Sequence, residues 1–230
     1  MCVIYEEIIK RFQSITLTGR LCYIFMCMER CLTGMYPGRD WTPVAEHMWQ
    51  WTSQQYWDES CRRYWEIVPD LVVYMDDLRE TELIERIGYR RSKEPDQNDF
   101  AELTALFRGN PDDAADRAFC RTLTGDADFC RVLMMPADFN NEAEGTSFRG
   151  AEPGVACLIG ELEAILQKHQ IALPDMSAVQ HFAFDRRKPV ALNEKDPGWG
   201  ERENTEYLSI ILHPENRSIE KGGFIHDSDH

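Results

Sequence analysis

The chain has 230 residues, and its composition, 43% hydrophobic and 28% charged, is typical of a globular protein and excludes a disordered one. A chain of this length can bury a sizeable core in one large domain or two small ones. The formal net charge is −15 at pH 7. This excess of carboxylates argues against a basic face for the phosphate backbone of nucleic acid, and it favours a basic protein partner or solubility alone.

Apolar runs and cysteine spacing indicate where the chain resides. The longest purely apolar run, residues 21–28, is far shorter than the roughly 20 residues needed to span a bilayer. Glu6 and Glu7 interrupt the N-terminal segment where a secretory signal would continue its apolar core. None of the eight cysteines has the CxxC spacing of common zinc sites. We therefore expect a cytoplasmic protein with reduced cysteines, no membrane contact, no metal and no other cofactor.

Helical periodicity begins at the N-terminus. The segment VIYEEIIKRF, residues 3–12, places Ile4, Ile8 and Phe12 at helical spacing. The next segment, RLCYIFMCMERCL at residues 20–32, is apolar enough to be a central helix. We predict two helices here, the second one closed by a glycine and the YPGRD turn.

A third helix starts at Thr42 and Pro43, where the threonine hydroxyl would cap a helix with proline in its first turn. The pattern predicts that this helix runs to about residue 68 and that another helix covers residues 70–88. The apolar face changes direction near residues 53–55. The third helix either breaks there or contacts different neighbours at its two ends.

Five of the six tryptophans lie between residues 41 and 65. Both halves of this stretch keep a coherent apolar stripe, and buried tryptophan contributes a large apolar area while its N–H finds a polar partner. Core packing is therefore the favoured interpretation. A partner-facing patch and an aromatic ligand cage are the alternatives.

The second half of the chain changes character. Residues 109–150 are rich in aspartate and in the turn-forming residues glycine, proline and asparagine, which predicts short helices and loops. The segment EPGVACLIGELEAILQKHQIALPD, which starts at residue 152, predicts a long helix that ends before Pro174. The runs HFAF at residues 181–184 and EYLSIIL at residues 206–212 predict short β-strands.

These elements predict a mainly α fold, a multi-helix bundle-like domain with a small β element near the C-terminus. We expect an aromatic-rich helical part, residues 1–90, and an acidic part, residues 91–230, to form one domain. Residues 1–68 carry eight acidic and seven basic side chains, so nearly all the negative charge lies beyond them.

Signatures of catalysis are absent from the sequence: there is no P-loop, GxGxxG, GxSxG, HExxH or EF-hand loop. The tail HDSDH places His226 and His230 four residues apart, and we interpret it as a frayed terminus rather than a metal site. The many carboxylates are typical of solvated faces and helix caps. We expect that the protein is not an enzyme.

Two segments, TLTGRLCYIFMCMERCL and YPGRDWTPVAEHMWQWT, resemble the mostly helical immunity proteins encoded beside bacterial polymorphic toxins. A looser likeness occurs at NNEAEGTSF and DPGWGE. The resemblance implies a stoichiometric inhibitor that binds a cognate toxin domain, often a nuclease. It supplies no motif for the residues that contact the toxin.

The partner-binding residues are therefore predicted from charge and residue type. An acidic face on the helix at residues 70–88 would attract a basic toxin, and an exposed aromatic side chain would anchor the contact. The predicted set is Asp76, Asp77, Glu80, Glu82, Trp51 and Trp65.

Two other functions stay open. One is an acidic decoy that mimics nucleic acid and inhibits a nucleic-acid-handling or defence enzyme. The other is an enzyme that uses a carboxylate pair or a metal, which would place at least two carboxylates with shifted pKa values in one deep pocket.

Overall fold

The computed structural model describes residues 2–52, 106, 112–143, 148–184 and 204–219. Their α-helices are α1 (Cys2–Phe12), α2 (Leu17–Met35), α3 (Thr42–Gln50), α4 (Ala114–Gly125), α5 (Ala127–Ala143), α6 (Phe148–Lys168) and α7 (Asn216–Ile219). A first 3-10 helix covers Met176–Phe182, and a second covers Glu206–Leu208. The predicted mainly α fold is confirmed.

Helix α2 lies at the centre of the described structure. Its residues from Leu17 to Glu29 are all buried, because α2 packs against α5 and α6 while α1 covers α6. A helix that is apolar on every side requires this enclosure. The core joins side chains such as Phe25 on α2, Val132 on α5 and Leu162 on α6, so the described parts of both sequence regions share one hydrophobic core.

A buried arginine closes the corner between α1 and α2. Arg20 is 1% exposed, its Nε donates to the carbonyl of Ile15 at 3.0 Å, and its Nη2 donates to the carbonyl of Phe12 at 2.8 Å. The last carbonyls of a helix have no partner within the helix. Arg20 supplies donors to this end of α1, where the helix dipole also favours a cation.

The start of α3 differs in detail from the prediction. Thr42 lies inside the helix, and its backbone N–H and hydroxyl both donate to Asp40 Oδ1, at 3.0 and 2.6 Å. The N-cap position is Trp41, which makes no side-chain capping hydrogen bond, so the predicted threonine cap is wrong; the Asp40 carboxylate, one residue earlier, accepts the two hydrogen bonds from Thr42. The helix ends at Gln50, before the change of apolar face, and the predicted continuation to residue 68 lies outside the described residues.

The aspartate-rich region forms two helices of 12 and 17 residues, so the predicted helices are present but are longer than expected. Asp113 Oδ1 accepts hydrogen bonds from the N–H groups of Ala115 and Asp116, and Asp126 Oδ1 accepts one from Phe129 N–H. Asp113 and Asp126, which the sequence suggested were loop residues, are therefore the N-terminal caps of α4 and α5. Pro136 lies within α5 without ending it.

The predicted β element does not form at residues 181–184 or 206–212. The first run ends the first 3-10 helix and contributes only an isolated antiparallel bridge between Ala183 and Ile15. In the second run, Ser209 Oγ accepts hydrogen bonds from the N–H groups of Ile211 and Leu212 at 3.1 and 2.8 Å, which fixes a turn. Side-chain acceptors of this kind compete with sheet pairing. None of the described helices combines the length and apolar character needed to cross a bilayer.

Gly19 lies where α2 meets the first 3-10 helix, in a space that admits no side chain. A Cβ atom added there would lie 2.6 Å from both Ile15 Cγ2 and Phe182 Cβ. We predict that Gly19→Ala lowers the free energy of unfolding by about 1–3 kcal/mol, because overpacking exceeds the gain in helix propensity. Urea unfolding measures this loss.

Gly38→Ala is the matched control for this substitution. An added Cβ at Gly38 meets no neighbouring atom within 4 Å, so its free energy of unfolding should change little. Equal stability of the Gly19→Ala variant and the native chain would contradict the packing of the first 3-10 helix on α2.

Candidate functional site

The structure tests one of the six predicted contact residues. Trp51 is fully buried, and its ring packs against Phe25 on α2 with the centroids 6.0 Å apart. The expectation that Trp51 is an exposed anchor is therefore wrong, because the turn after α3 directs this ring into the core. The other five predicted residues lie outside the described residues: Asp76, Asp77, Glu80, Glu82 and Trp65.

Trp41 and Trp49 are also fully buried, in agreement with the core interpretation of the tryptophan stretch. Trp41 Nε1 donates to the carbonyl of Tyr36 at 3.0 Å, and Trp49 Nε1 donates to Glu29 Oε1 at 2.8 Å. Each indole thus contributes a large apolar area and satisfies its one polar group inside the protein.

Glu29 is a carboxylate in the centre of the core. Its Oε1 accepts hydrogen bonds from Trp49 Nε1 at 2.8 Å and Ser209 Oγ at 2.5 Å, and its Oε2 accepts one from Ile210 N–H at 2.7 Å. Burial raises the pKa of Glu29, and the hydrogen bonds from Ser209, Trp49 and the backbone oppose this shift. Three donors from two distant parts of the chain therefore meet at one carboxylate.

These donors fasten the C-terminal segment, defined here as residues 204–219, to α2 and α3. Thr205 and Ser209 are fully buried beneath the segment, and the Thr205 hydroxyl is hydrogen-bonded to the hydroxyl of Thr52. On the outer side, Asn216 Nδ2 donates to the carbonyls of Tyr207 and Ser209 at 2.7 and 2.9 Å. The contacts with Glu29 and Thr52 thus join the segment to the rest of the fold, and the Asn216 contacts brace the turn within it.

A second buried carboxylate, Glu163 on α6, joins three helices. It accepts hydrogen bonds from Arg11 on α1 and from Tyr23 Oη on α2, the latter at 2.7 Å. Burial raises the pKa of Tyr23, and nearby Cys27 and Glu163 raise it further. Burial also raises the pKa of Cys27 well above its usual value. A tyrosine and a thiol that stay protonated in this way are poor nucleophiles, and the cluster acts as an internal brace.

The face formed by α5 and α6 carries carboxylates that already have basic partners. Asp128 Oδ2 accepts from Lys168 Nζ at 2.6 Å and lies 2.7 Å from His169 Nε2, and these contacts lower the pKa of Asp128. Arg131 forms a two-point contact with Glu161, with both N–O distances at 2.7 Å. The charge of these carboxylates is therefore largely balanced within the protein.

An exposed aromatic pair lies on the C-terminal segment and the first 3-10 helix. Tyr207 is 49% exposed, and its Oη lies 2.8 Å from His181 Nε2. The His181 ring in turn packs against Phe182, with ring centroids 3.8 Å apart. Sequence reasoning missed this pair, because the two residues are 26 positions apart and their surroundings were predicted as strands.

Metal binding and likeness to known proteins are the remaining sources of functional information. Within the described ranges, no three or more His, Cys, Asp or Glu side chains are grouped to hold a metal ion. Comparisons with protein-family models, curated proteins and solved structures give no match. A functional proposal for this chain therefore depends on its own residues.

Removing the charge of Glu29 tests the anchoring of the C-terminal segment. In Glu29→Gln, an amide NH₂ would face the N–H or O–H groups that now donate to the carboxylate. We predict a loss of about 1–3 kcal/mol in the free energy of unfolding, because buried donors lose their acceptor. Glu46→Gln, on the exposed side of α3, is the control and should change stability little. Unchanged urea unfolding of Glu29→Gln would contradict the anchoring role.

The raised pKa of Glu29 predicts that the free energy of unfolding of the native chain depends on pH in a way that Glu29→Gln lacks. Because burial raises the pKa of Glu29 above its unfolded value of about 4.5, the folded chain binds this proton more tightly than the unfolded chain. The resulting contribution to stability is complete below the unfolded pKa and is lost as the pH rises through the folded pKa.

The stability difference between the native chain and Glu29→Gln should therefore be larger at about pH 4 than at about pH 8. Urea unfolding of both proteins across this range measures it, and other titrating groups cancel in the difference. A difference that grows with rising pH would contradict the direction of the shift.

Proposed function

We propose that this protein is an immunity protein that binds a cognate bacterial toxin domain in the cytoplasm and neutralises it by stoichiometric protein–protein interaction. The observation that carries the proposal is that the carboxylates fall into two groups, one that holds the fold together and one that gives the surface its negative charge. In the described part of the chain, the buried carboxylates Glu29 and Glu163 are engaged by donors of the fold itself. The remaining negative charge of a chain with net charge −15 is available for attraction at the surface.

The segments that resemble immunity proteins supply the framework of the fold. TLTGRLCYIFMCMERCL and YPGRDWTPVAEHMWQWT contain most of α2 and all of α3, including the buried Glu29 and three buried tryptophans. The likeness therefore lies in residues that determine packing. We infer that contact with the toxin uses other parts of the surface.

Charge supplies the attraction in this proposal. A nuclease toxin carries a basic groove for its substrate, and an acidic inhibitor accelerates encounter with that groove and blocks it. The face with Asp76, Asp77, Glu80 and Glu82 stays the predicted contact of this kind. The α5–α6 face is a weaker candidate, because Asp128 and Glu161 already have cationic partners.

Co-expression tests the function directly. The toxin domain encoded beside the gene should arrest growth when it is expressed alone, and the native chain should restore growth and form a stable complex of roughly one to one. If growth is not restored and no complex forms, the immunity proposal is overturned.

Charge reversal then tests the predicted face. We predict that Asp76→Lys with Asp77→Lys raises the Kd for the toxin at least about tenfold at low salt and weakens its salt dependence. Glu6→Lys with Glu7→Lys makes the same change of charge on the exposed side of α1 and should leave the Kd nearly unchanged. Equal effects of the two double variants would show that the contact is not on the 76–77 face.

A further inference from the structure

Among the described residues, Tyr207 is the large hydrophobic residue that is exposed to solvent, and 49% of its surface is accessible. Its neighbours in the second 3-10 helix and the following turn point inward, since Thr205, Leu208 and Ser209 are buried. The turn therefore combines an anchored inner side with one aromatic ring on its outer side. Tyrosine in such a position is enriched among the residues that dominate the binding energy of protein interfaces.

The ring is fixed before any partner arrives. Its hydroxyl is hydrogen-bonded to His181 Nε2 at 2.8 Å, and its backbone carbonyl accepts from Asn216 Nδ2 at 2.7 Å. Beneath it, Ser209 Oγ donates to the buried Glu29. An interface that uses a side chain already held in one orientation loses less conformational entropy on binding.

The described C-terminal segment carries two carboxylates, Glu206 directly before Tyr207 and Glu215, and one arginine, and this excess of acidic groups favours a cationic partner. The carboxylate of Glu206 contacts the neutral amide of Asn204 at 2.9 Å, and Glu215 is exposed, with His213 Nδ1 3.3 Å from its Oε1. The one arginine of the described C-terminal segment, Arg217, turns its Nε to the carbonyl of Ile210 at 3.0 Å. Lysine and arginine bind to the face of a tyrosine ring, because the ring quadrupole attracts cations.

We propose that Tyr207, oriented by His181 and flanked by Glu206, is an anchor of the toxin-binding surface and receives a lysine or arginine side chain of the toxin. This inference rests on the proposed function and adds the contact surface to it. The sequence had assigned the anchoring role to Trp51 or Trp65; Trp51 is buried, Trp65 lies outside the described residues, and Tyr207 is the exposed ring that the described residues offer.

The test uses the purified toxin domain from the growth experiment and the full native chain. We expect Tyr207→Ala to raise the Kd at least about tenfold, and His181→Ala to raise it less, because the ring remains but loses its orientation. Tyr207→Phe keeps the ring but also loses the hydrogen bond to His181, so it should raise the Kd about as much as His181→Ala does and less than Tyr207→Ala does. Thr122→Ala, on the exposed side of α4, is the control and should bind like the native chain.

Nitration of tyrosine with tetranitromethane, read by mass spectrometry, gives a second measurement that needs no variant. Tyr207 should react in the free native chain and be protected in the complex. Thermal unfolding of each variant shows whether a loss of binding reflects a loss of folding, and protection of Tyr207 supports the anchor even if Tyr207→Ala unfolds.

The outcomes separate this inference from the proposed function. If the native chain restores growth but Tyr207→Ala binds with the native Kd, or Tyr207 is nitrated equally in the complex, the anchor is overturned and the immunity function stands. If the native chain neither binds nor neutralises the toxin, the proposed function fails and the anchor fails with it.

Discussion

Glu29 places a carboxyl group in the middle of an apolar helix, and three chain segments meet at it. An isolated carboxylate in such a place is costly unless it is hydrogen-bonded. Here Trp49 on α3 and the Ser209–Ile210 turn supply the donors, so the first third of the chain and its last described segment are joined at one group. Burial of Glu29 is tolerated only when all three donors are in place, so the carboxyl group favours one particular arrangement of the three chain segments.

Parts of this arrangement could be predicted from the sequence, and parts could not. The apolar character of α2 and the periodicity of α6 are local patterns, so both helices were predicted well. The caps at Asp113 and Asp126 are also local, yet their aspartates were interpreted as loop punctuation because one residue type serves both purposes. The prediction of strands in the two apolar runs was wrong because the side chains of Ser209 and Asp175 accept hydrogen bonds from nearby backbone N–H groups and form turns. The apolar composition of the runs does not reveal these turns.

The candidate contact surface shows a different limit. Asp76 and Asp77 were chosen for their charge, and Trp51 for its residue type, but residue type alone does not tell whether a tryptophan faces solvent. Trp51 packs on Phe25, whereas the exposed ring belongs to Tyr207. The pairing of Tyr207 with His181 depends on where two 3-10 helices meet, and that information exists only in the folded chain.

Stoichiometry tests the central claim most directly, because an inhibitor that works by binding is consumed one molecule per toxin. A fixed amount of active toxin domain would be titrated with the purified chain at concentrations well above the Kd, and the residual toxin activity measured. The account predicts a linear fall that ends near one equivalent. Loss of activity at a small fraction of an equivalent would indicate catalysis, and full activity at several equivalents would show no inhibition; either result would contradict the account.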